Sequence, residues 1–357
     1  MERIRIYQFT DPTCIWCWGN EPAIRALDYL YGSKIDIEFI MGGLVEDIYT
    51  LYNIEGSRQH ILDCANARIT DTWRAASKCH AMPIREGAVA LYNENYTSSF
   101  PQNIAYEAAK RIDRQKAKHF LRLLREATFT EGKRTSQIDV LIELAAKAGI
   151  DATQFIDAYT NGDAQADFLS DRMLCQRNGI TGFPSYMIKY NDTSIILGGY
   201  QNLDTFHNII ARLSGGKVKP KKAGPSLANV REFINHYERV YPVEIETAFG
   251  LDKAATDLMI SNLIEDGSVA TTPIGQGQRL SLSGAYRTAQ HNKKFNYKTM
   301  EKKELKTTAT KAENAATKSA AEKSATKASA EKCTTKGCGT SKPKATTAKK
   351  EKQTVKA

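Results

Sequence analysis

Residues 9–17 read FTDPTCIWC, and a different pattern lies on each side of them. Before this segment, residues 3–9 alternate polar and apolar side chains, which is typical of a strand. After it, residues 23–31 place apolar side chains at helical spacing, and residues 34–41 form a second strand pattern. The sequence therefore predicts a β-α-β unit with a cysteine pair in the turn where the helix begins.

Cys14 and Cys17 have the spacing of a dithiol–disulfide pair. Free N–H groups and the dipole at a helix start favour a thiolate, and a second thiol one turn later can resolve a mixed disulfide. We therefore expect Cys14 to be the nucleophile and Cys17 the resolving thiol. Half a zinc site has the same spacing, but Cys64 and Cys79, with His80 alongside, do not supply a second pair at zinc-site spacing. The sequence thus favours thiol–disulfide exchange with no metal or organic cofactor.

The rest of the first domain predicts a large helical insertion and a return to the sheet. Apolar residues keep helical spacing from about residue 55 to 175. Strand patterns follow at 185–190 and 194–197, and a helix pattern at about 203–213 precedes two glycines. At 357 residues the chain is too long for one compact domain. We therefore expect an α/β domain over residues 1–216, with further parts after it.

Three further segments are predicted after this domain. Residues 217–225 form a basic linker, and residues 226–284 carry three helix patterns and a hairpin, an order that resembles a winged helix-turn-helix. Residues 285–357 are rich in Lys, Ala and Thr with almost no large apolar side chain, so we expect a disordered tail. Residues 287–357 contain 19 Lys and Arg and 6 Asp and Glu, which gives a net charge of +13. The remainder of the chain contains 31 Lys and Arg and 34 Asp and Glu, which gives a net charge of −3. The overall charge of +10 therefore belongs to the tail.

The charge of residues 226–283 bears on their partner. Four basic residues face eight acidic ones, and this net charge of −4 repels a DNA backbone. We therefore expect a protein partner or a dimer contact for the winged-helix-like part. The Lys-rich tail leaves open nucleic-acid binding without sequence preference.

Composition also indicates the compartment. No apolar run approaches the roughly 18 to 20 residues of a membrane span, and residues 1–9 lack the apolar core of a secretory leader. Seven cysteines, an odd number, do not suggest a disulfide framework. We expect a cytoplasmic protein with no membrane partner.

Residues 179–185 read GITGFPS and precede the returning strand. A proline at a strand start after glycine-rich turn residues, here Pro184, is a candidate for a cis peptide bond, which leaves the neighbouring backbone free to pair with an extended peptide. An ordinary loop proline is the alternative that these residues leave open.

Several separated motifs together resemble the DsbA-like proteins of the FrnE type. They are FTDPTCIWCWGNEP at 9–22, Trp73 with AMPI at 81–84, LREA at 124–127 and GFP at 182–184. The resemblance spans about residues 1–213 and implies a thioredoxin-like fold with an inserted helical domain. It also implies Cys14 as nucleophile, Cys17 as resolving thiol and Pro184 as a cis-proline that faces them, with the Phe183 backbone presented to substrate. Some members that have lost a cysteine act as adaptors for proteolysis or as regulators, whereas this chain keeps both.

The residues around the pair bear on the direction of electron flow. Ile15 and Trp16 bring no positive charge, and Asp11 opposes a thiolate, so we expect a reductase, an isomerase or a redox sensor instead of a strong oxidant. Trp16 is a candidate for substrate contact. Glu21 is a candidate for proton transfer at Cys17, with a solvated helix residue as the alternative.

The other cysteines receive two different interpretations. Cys64, Cys79 and Cys175 fall in helix patterns, where a packing role is expected. Cys333 and Cys338 lie five positions apart between lysines in the tail, and we predict a redox relay between them and the N-terminal pair.

The leading hypothesis is a cytosolic thiol–disulfide oxidoreductase that acts on protein or low-molecular-weight thiols and disulfides. The alternative is a redox-gated regulator or adaptor that binds a protein partner or nucleic acid through residues 226–284 and the tail.

Overall fold

A computed structural model describes residues 3–288 of the chain. Its larger sheet has four strands, in the order β2-β1-β3-β4. They are β1 at Ile4–Thr10, β2 at Ile35–Met41, β3 at Ser185–Tyr190 and β4 at Thr193–Gly198. β1 runs parallel to β2 and antiparallel to β3, and Ile6 lies opposite Ile37 on one side and Ile188 on the other. These three isoleucines are buried, as the predicted alternation requires.

Ten helices accompany this sheet within the described part of the chain. Between the first two strands lie α1 at Ile15–Gly19 and α2 at Glu21–Tyr31. The insertion between β2 and β3 holds α3 at Ile48–Leu51, α4 at Arg58–His80, α5 at Phe100–Ile112, α6 at Arg114–Phe129, α7 at Ile138–Lys147, α8 at Ala152–Thr160 and α9 at Asp163–Arg177. α10 at Leu203–Ser214 follows the sheet. The predicted α/β fold with a large helical insertion is confirmed.

Side-chain caps explain where several of these helices begin. Ser57 accepts from the N–H of His60 at 3.2 Å before α4, and Asp113 accepts from two N–H groups at 2.8 and 3.0 Å before α6. Asn202 caps α10 in the same way, with a 2.9 Å bond from the N–H of Thr205. Each cap satisfies backbone donors that the first helical turn leaves free.

The C-terminal described segment contains three helices and a hairpin, in the predicted order. They are α11 at Leu227–Tyr237, α12 at Pro242–Phe249, α13 at Lys253–Glu265, β5 at Val269–Ile274 and β6 at Gly277–Leu282. The segment shares a core with α2, since the ring of Tyr29 lies 5.1 Å from that of Phe233 and 5.7 Å from that of Phe249. The described residues 3–288 accordingly form one compact unit. The domain boundary at 217–225 and the winged-helix assignment stay predictions.

The linker and the tail complete this description. The linker backbone lies against α2, because Lys221 donates its N–H to the Leu30 carbonyl at 2.7 Å. Residues 284–288 are helical, so ordered structure extends past the predicted start of the tail at 285. The rest of the tail lies outside the described residues. Within residues 3–288, no helix is both long and apolar enough to cross a membrane.

Candidate active site

The turn between β1 and α1 places two cysteines at a helix start. Cys14 is the N-cap residue of α1, and its Sγ accepts a hydrogen bond from the N–H of Cys17 at 3.4 Å. Asp11 shapes the turn, because one carboxylate oxygen accepts from both the N–H and the hydroxyl of Thr13 at 2.7 Å. The local sequence thus builds a turn that presents the first cysteine at the end of the helix.

The second carboxylate oxygen of Asp11 fastens this turn to the insertion. It accepts from the N–H of Leu44 at 2.7 Å, the hydroxyl of Ser99 at 2.8 Å and the side-chain amide of Asn103 at 2.8 Å. Asp11 itself is fully buried. The helical insertion therefore holds the cysteine turn in place through a charged hydrogen-bond acceptor.

The Phe183–Pro184 peptide bond is cis and faces the first cysteine. The Cys14 thiol donates to the Phe183 carbonyl at 3.4 Å. The ring of Phe183 lies over Gly42, where an added Cβ would overlap it. The structure therefore brings Cys14, Phe183 and Pro184 together from segments about 170 residues apart.

The two thiols differ in their electrostatic surroundings. Burial, together with the hydrogen bond and charge of Cys17, raises the pKa of Cys14 well above its ordinary range, and Asp11 adds a smaller effect of the same sign. Burial acts to raise the pKa of Cys17 too, but hydrogen bonds from Cys14 and Thr10 and the guanidinium of Arg125 outweigh it and lower this pKa. We expected the helix start to ionise Cys14. The structure instead favours the negative charge on Cys17, because the guanidinium of Arg125 and the hydrogen bond from Thr10 act on that sulfur, although both thiols are buried.

Glu21 differs from both expectations for it. Its carboxylate is buried in ion pairs with Arg125 and with Arg122, the latter at 3.0 Å. Burial alone would raise the pKa of Glu21, but the guanidinium groups of Arg125, Arg122 and Arg25 lower it to about 2. Glu21 is therefore neither solvated nor a proton donor near neutral pH.

An apolar cavity of about 210 Å³ lies beside Cys14. Its walls include Phe183 and Trp16, and also Ile15, Leu51, Tyr52, Ile69, Trp73 and Tyr92. Trp16 also meets Tyr200 edge-on at 6.3 Å between ring centres. Cys17 is fully buried and does not line the cavity. Cys14 is thus the sulfur that a molecule in the cavity would meet.

Three residues near the pair were missed by sequence reasoning. Arg125 and Thr10 lie behind Cys17, and His80 packs against Trp16 with ring centres 5.8 Å apart. An added Cβ at Gly19 would overlap the His80 ring, so the glycine at the end of the cysteine helix was the available signal for His80. Thr10 and Arg125 lie in the motifs at 9–17 and 124–127, but neither motif shows that these two side chains contact each other.

The remaining cysteines follow the packing expectation only in part. Cys175 is buried, whereas Cys64 is half-buried and Cys79 is exposed. Among residues 3–288, no group of three His, Cys, Asp or Glu side chains is arranged to hold a metal ion. The predicted relay cysteines, Cys333 and Cys338, lie outside the described residues.

Named proteins resemble this chain in sequence. The ClpXP adapter protein SpxH of Halalkalibacterium halodurans is 27% identical over 279 residues, which cover 77% of this chain and 87% of that protein. The protein of the same name from Bacillus subtilis is 22% identical over 251 residues, or 70% of this chain and 79% of its own length.

Solved structures resemble it in fold. A candidate protein disulfide isomerase from Nitrosomonas europaea superposes with a TM-score of 0.50 at 18% identity, over 60% of this chain and all of that one. The cytosolic disulfide reductase DsbM from Pseudomonas aeruginosa has a TM-score of 0.46 at 21% identity, over 58% of this chain and 97% of its own. At these identities the likeness concerns the fold alone.

A family model described as thioredoxin matches residues 7–208, more than half of the chain. The match contains the cysteine turn, the helical insertion and the cis-proline. The FrnE subtype stays a prediction. The chain therefore belongs to the thioredoxin family.

Proposed function

We propose that this protein is a cytosolic thiol–disulfide oxidoreductase that uses Cys14 and Cys17. The observation that carries the proposal is the 3.4 Å distance between the Cys14 thiol and the Phe183 carbonyl, in the wall of an apolar cavity. Cys17, three residues later and fully buried, suits the resolving thiol. Trp16, Phe183 and Pro184 are the proposed contacts to a protein or low-molecular-weight substrate, and the cavity suits an apolar group next to the reacting sulfur.

The proposed reaction has two exchanges. As Cys14 transfers its proton to the Cys17 thiolate, its sulfur attacks the substrate disulfide and forms a mixed disulfide, and one substrate sulfur leaves as a thiolate that takes a proton from water. Cys17, once deprotonated, attacks Cys14, closes the Cys14–Cys17 disulfide and releases the second substrate thiol. Over both exchanges the cysteine pair loses two electrons and the one proton that it carried, and the substrate gains these together with a second proton from water. A low-molecular-weight thiol can return the enzyme to the dithiol form.

Reduction of insulin or glutathione disulfide tests this proposal. We expect Cys14→Ser to lower the rate by at least about 100-fold, because the attacking sulfur is lost. Cys17→Ser should instead accumulate the mixed disulfide, which mass spectrometry detects. Cys79→Ser is the matched control, since Cys79 is an exposed cysteine away from the pair. Equal rates in Cys14→Ser and the control would remove the enzymatic proposal.

The tail cysteines belong to the same proposal. In the proposed relay, the dithiol of Cys333 and Cys338 reduces the Cys14–Cys17 disulfide and becomes a disulfide itself, so two electrons and two protons move. Changing both tail cysteines to serine should slow reduction of the N-terminal disulfide. An unchanged rate would remove the relay and leave the oxidoreductase proposal intact.

A redox-gated adaptor is the second candidate function. It is favoured by the relatives named ClpXP adapters, because the 279 aligned residues exceed the 202 of the thioredoxin match and so extend beyond it. Binding of purified ClpXP to the dithiol form, the disulfide form and a Cys14→Ser/Cys17→Ser variant tests it by biolayer interferometry. Binding that differs between the two redox forms supports a gated adaptor, and absence of binding in all three forms argues against it. Nucleic-acid binding by the tail stays a prediction.

A further inference from the structure

A buried cation lies behind the resolving cysteine. Arg125, on α6, is 0% exposed, and its Nη2 donates to the Thr10 hydroxyl oxygen at 2.6 Å. A hydrogen bond from Thr10 also lowers the pKa of Cys17. Thr10 is also fully buried, as the last residue of β1. The guanidinium is thus connected to the sulfur through a single hydroxyl group.

Arg125 has one carboxylate partner within the described residues, Glu21. Glu21 also contacts Arg122 at 3.0 Å, and Arg122 has Glu126 and Glu244 as further partners at 2.8 Å. The Nε of Arg125 has no hydrogen-bond partner in the same part of the chain. A buried guanidinium that shares its counter-ion is costly unless another negative group offsets it, and a thiolate on Cys17 is such a group.

We propose that Arg125 is a positioning residue that acts through Thr10 to stabilise the thiolate of Cys17 during resolution of the mixed disulfide. In that step the Cys17 thiolate attacks the Sγ of Cys14 and the bond between Cys14 and the substrate sulfur breaks. The Cys14–Cys17 disulfide forms, and the substrate sulfur leaves as a thiolate that takes a proton from water. This inference rests on the proposed oxidoreductase function and deepens it.

Substitutions of Arg125 and Glu21 should change the stability of the Cys17 thiolate in opposite directions. Arg125→Met removes the positive charge behind Cys17, so the thiolate becomes less stable and resolution slows. Glu21→Gln removes the carboxylate that neutralises Arg125, so the field at Cys17 becomes more positive and the thiolate becomes more stable. A purely structural ion pair predicts the same direction for both changes, because each removes a partner from a buried charge.

Ellman's reagent separates the two exchanges in a stopped-flow experiment. The background is a chain with serine at the reactive cysteines outside the site, Cys64, Cys79, Cys333 and Cys338. The first release of thionitrobenzoate reports the attack by Cys14, and the second reports resolution by Cys17. At pH 7 we expect Arg125→Met to slow the second phase about tenfold, because a smaller fraction of Cys17 is then ionised. Glu21→Gln should accelerate that phase.

Thr10 provides variants that do not disturb the ion pair. Thr10→Val keeps the shape but removes the hydroxyl, so the second phase should slow, whereas Thr10→Ser should keep the parent rate. The thiolate absorbance of Cys17, titrated in a Cys14→Ser background, should move to higher pH with Arg125→Met and to lower pH with Glu21→Gln.

The outcomes separate this inference from the function on which it rests. Slowing of the second phase by both Arg125→Met and Glu21→Gln, or parent rates in both Arg125→Met and Thr10→Val, overturns the role of Arg125. If the parent chain shows no first phase at all, the oxidoreductase proposal fails instead.

Discussion

His80 is a buried side chain that joins the helical insertion to the cysteine turn. Its Nδ1 accepts from the N–H of Met82 at 3.1 Å, so the proton of the neutral ring lies on Nε2. Burial lowers the pKa of His80 to about 4, which keeps the imidazole neutral at pH 7. Because the ring packs against Trp16 and Gly19, its charge state bears directly on the packing of the site.

We expect His80 to make the free energy of unfolding fall as pH decreases from about 6.5 to about 4. In this window the unfolded chain binds a proton that the folded chain does not bind, and the difference amounts to about 3 kcal/mol. The stabilisation is complete above pH 6.5 and is lost as the pH falls towards 4. Urea unfolding measured at several pH values in this range should show that the free energy of unfolding changes less with pH in His80→Gln than in the parent protein. The exposed His60→Gln is the control, and equal slopes in both variants would contradict the prediction.

The β5–β6 hairpin shows how one element fits against a distant loop. Its turn residue Gly275 has a φ of +51°, and an added Cβ there would overlap the carbonyl oxygen of Ile84. A Cβ at Gly277 would lie 3.1 Å from Pro83. Pro83 in turn accepts from the Trp18 indole at 3.0 Å. The hairpin therefore supports the loop that lies behind the cysteine helix.

Two glycine substitutions distinguish backbone conformation from packing at this turn. Gly267 also has a positive φ, of +71°, but an added Cβ there meets nothing within 4 Å. Gly267→Ala should therefore cost only the conformational strain, about 1 kcal/mol. Gly275→Ala should cost about 1–3 kcal/mol more, because the hairpin must also move away from Ile84. Urea midpoints measure both losses, and equal losses would show that the contact with Ile84 contributes nothing.

The whole compact unit is held together by a buried ion-pair cluster that spans the predicted domain boundary. Glu244, on α12, is fully buried and contacts Arg122 of the insertion at 2.8 Å and Arg25 of α2 at 3.1 Å. It also accepts from the N–H of Tyr241 at 2.8 Å. One carboxylate therefore connects three parts of the chain that are far apart in sequence.

We expect residues 3–288 to unfold in one cooperative transition, and Glu244→Ala to destabilise it by about 3–5 kcal/mol, since two buried guanidinium groups lose a partner. Glu265→Ala, at an exposed position of the same segment, should change the stability by less than about 0.5 kcal/mol. Intrinsic tryptophan fluorescence and circular dichroism, followed in the same denaturant series, provide the test. Two separated transitions would support residues 226–284 as an independent domain.

Local patterns in the sequence were sufficient to predict the strands and the helical insertion and to identify the spacing of the cysteine pair. Strand alternation, helical spacing and the turn residues around Cys14 act over a few positions, so each can be read without knowing its neighbours in space. The order of the C-terminal helices and hairpin was readable for the same reason.

Folding determined the surroundings of the two sulfurs. Arg125 reaches Thr10 across 115 positions and Glu244 reaches Arg122 across 122, and no periodicity marks either pair. Which thiol has the lower pKa depends on these contacts, and this is why the sequence did not show the lowered pKa of Cys17 or the buried ion pairs of Glu21. Electrostatic interactions depend on the distances between charges and on their desolvation in the folded structure, and neither quantity can be predicted from local sequence patterns.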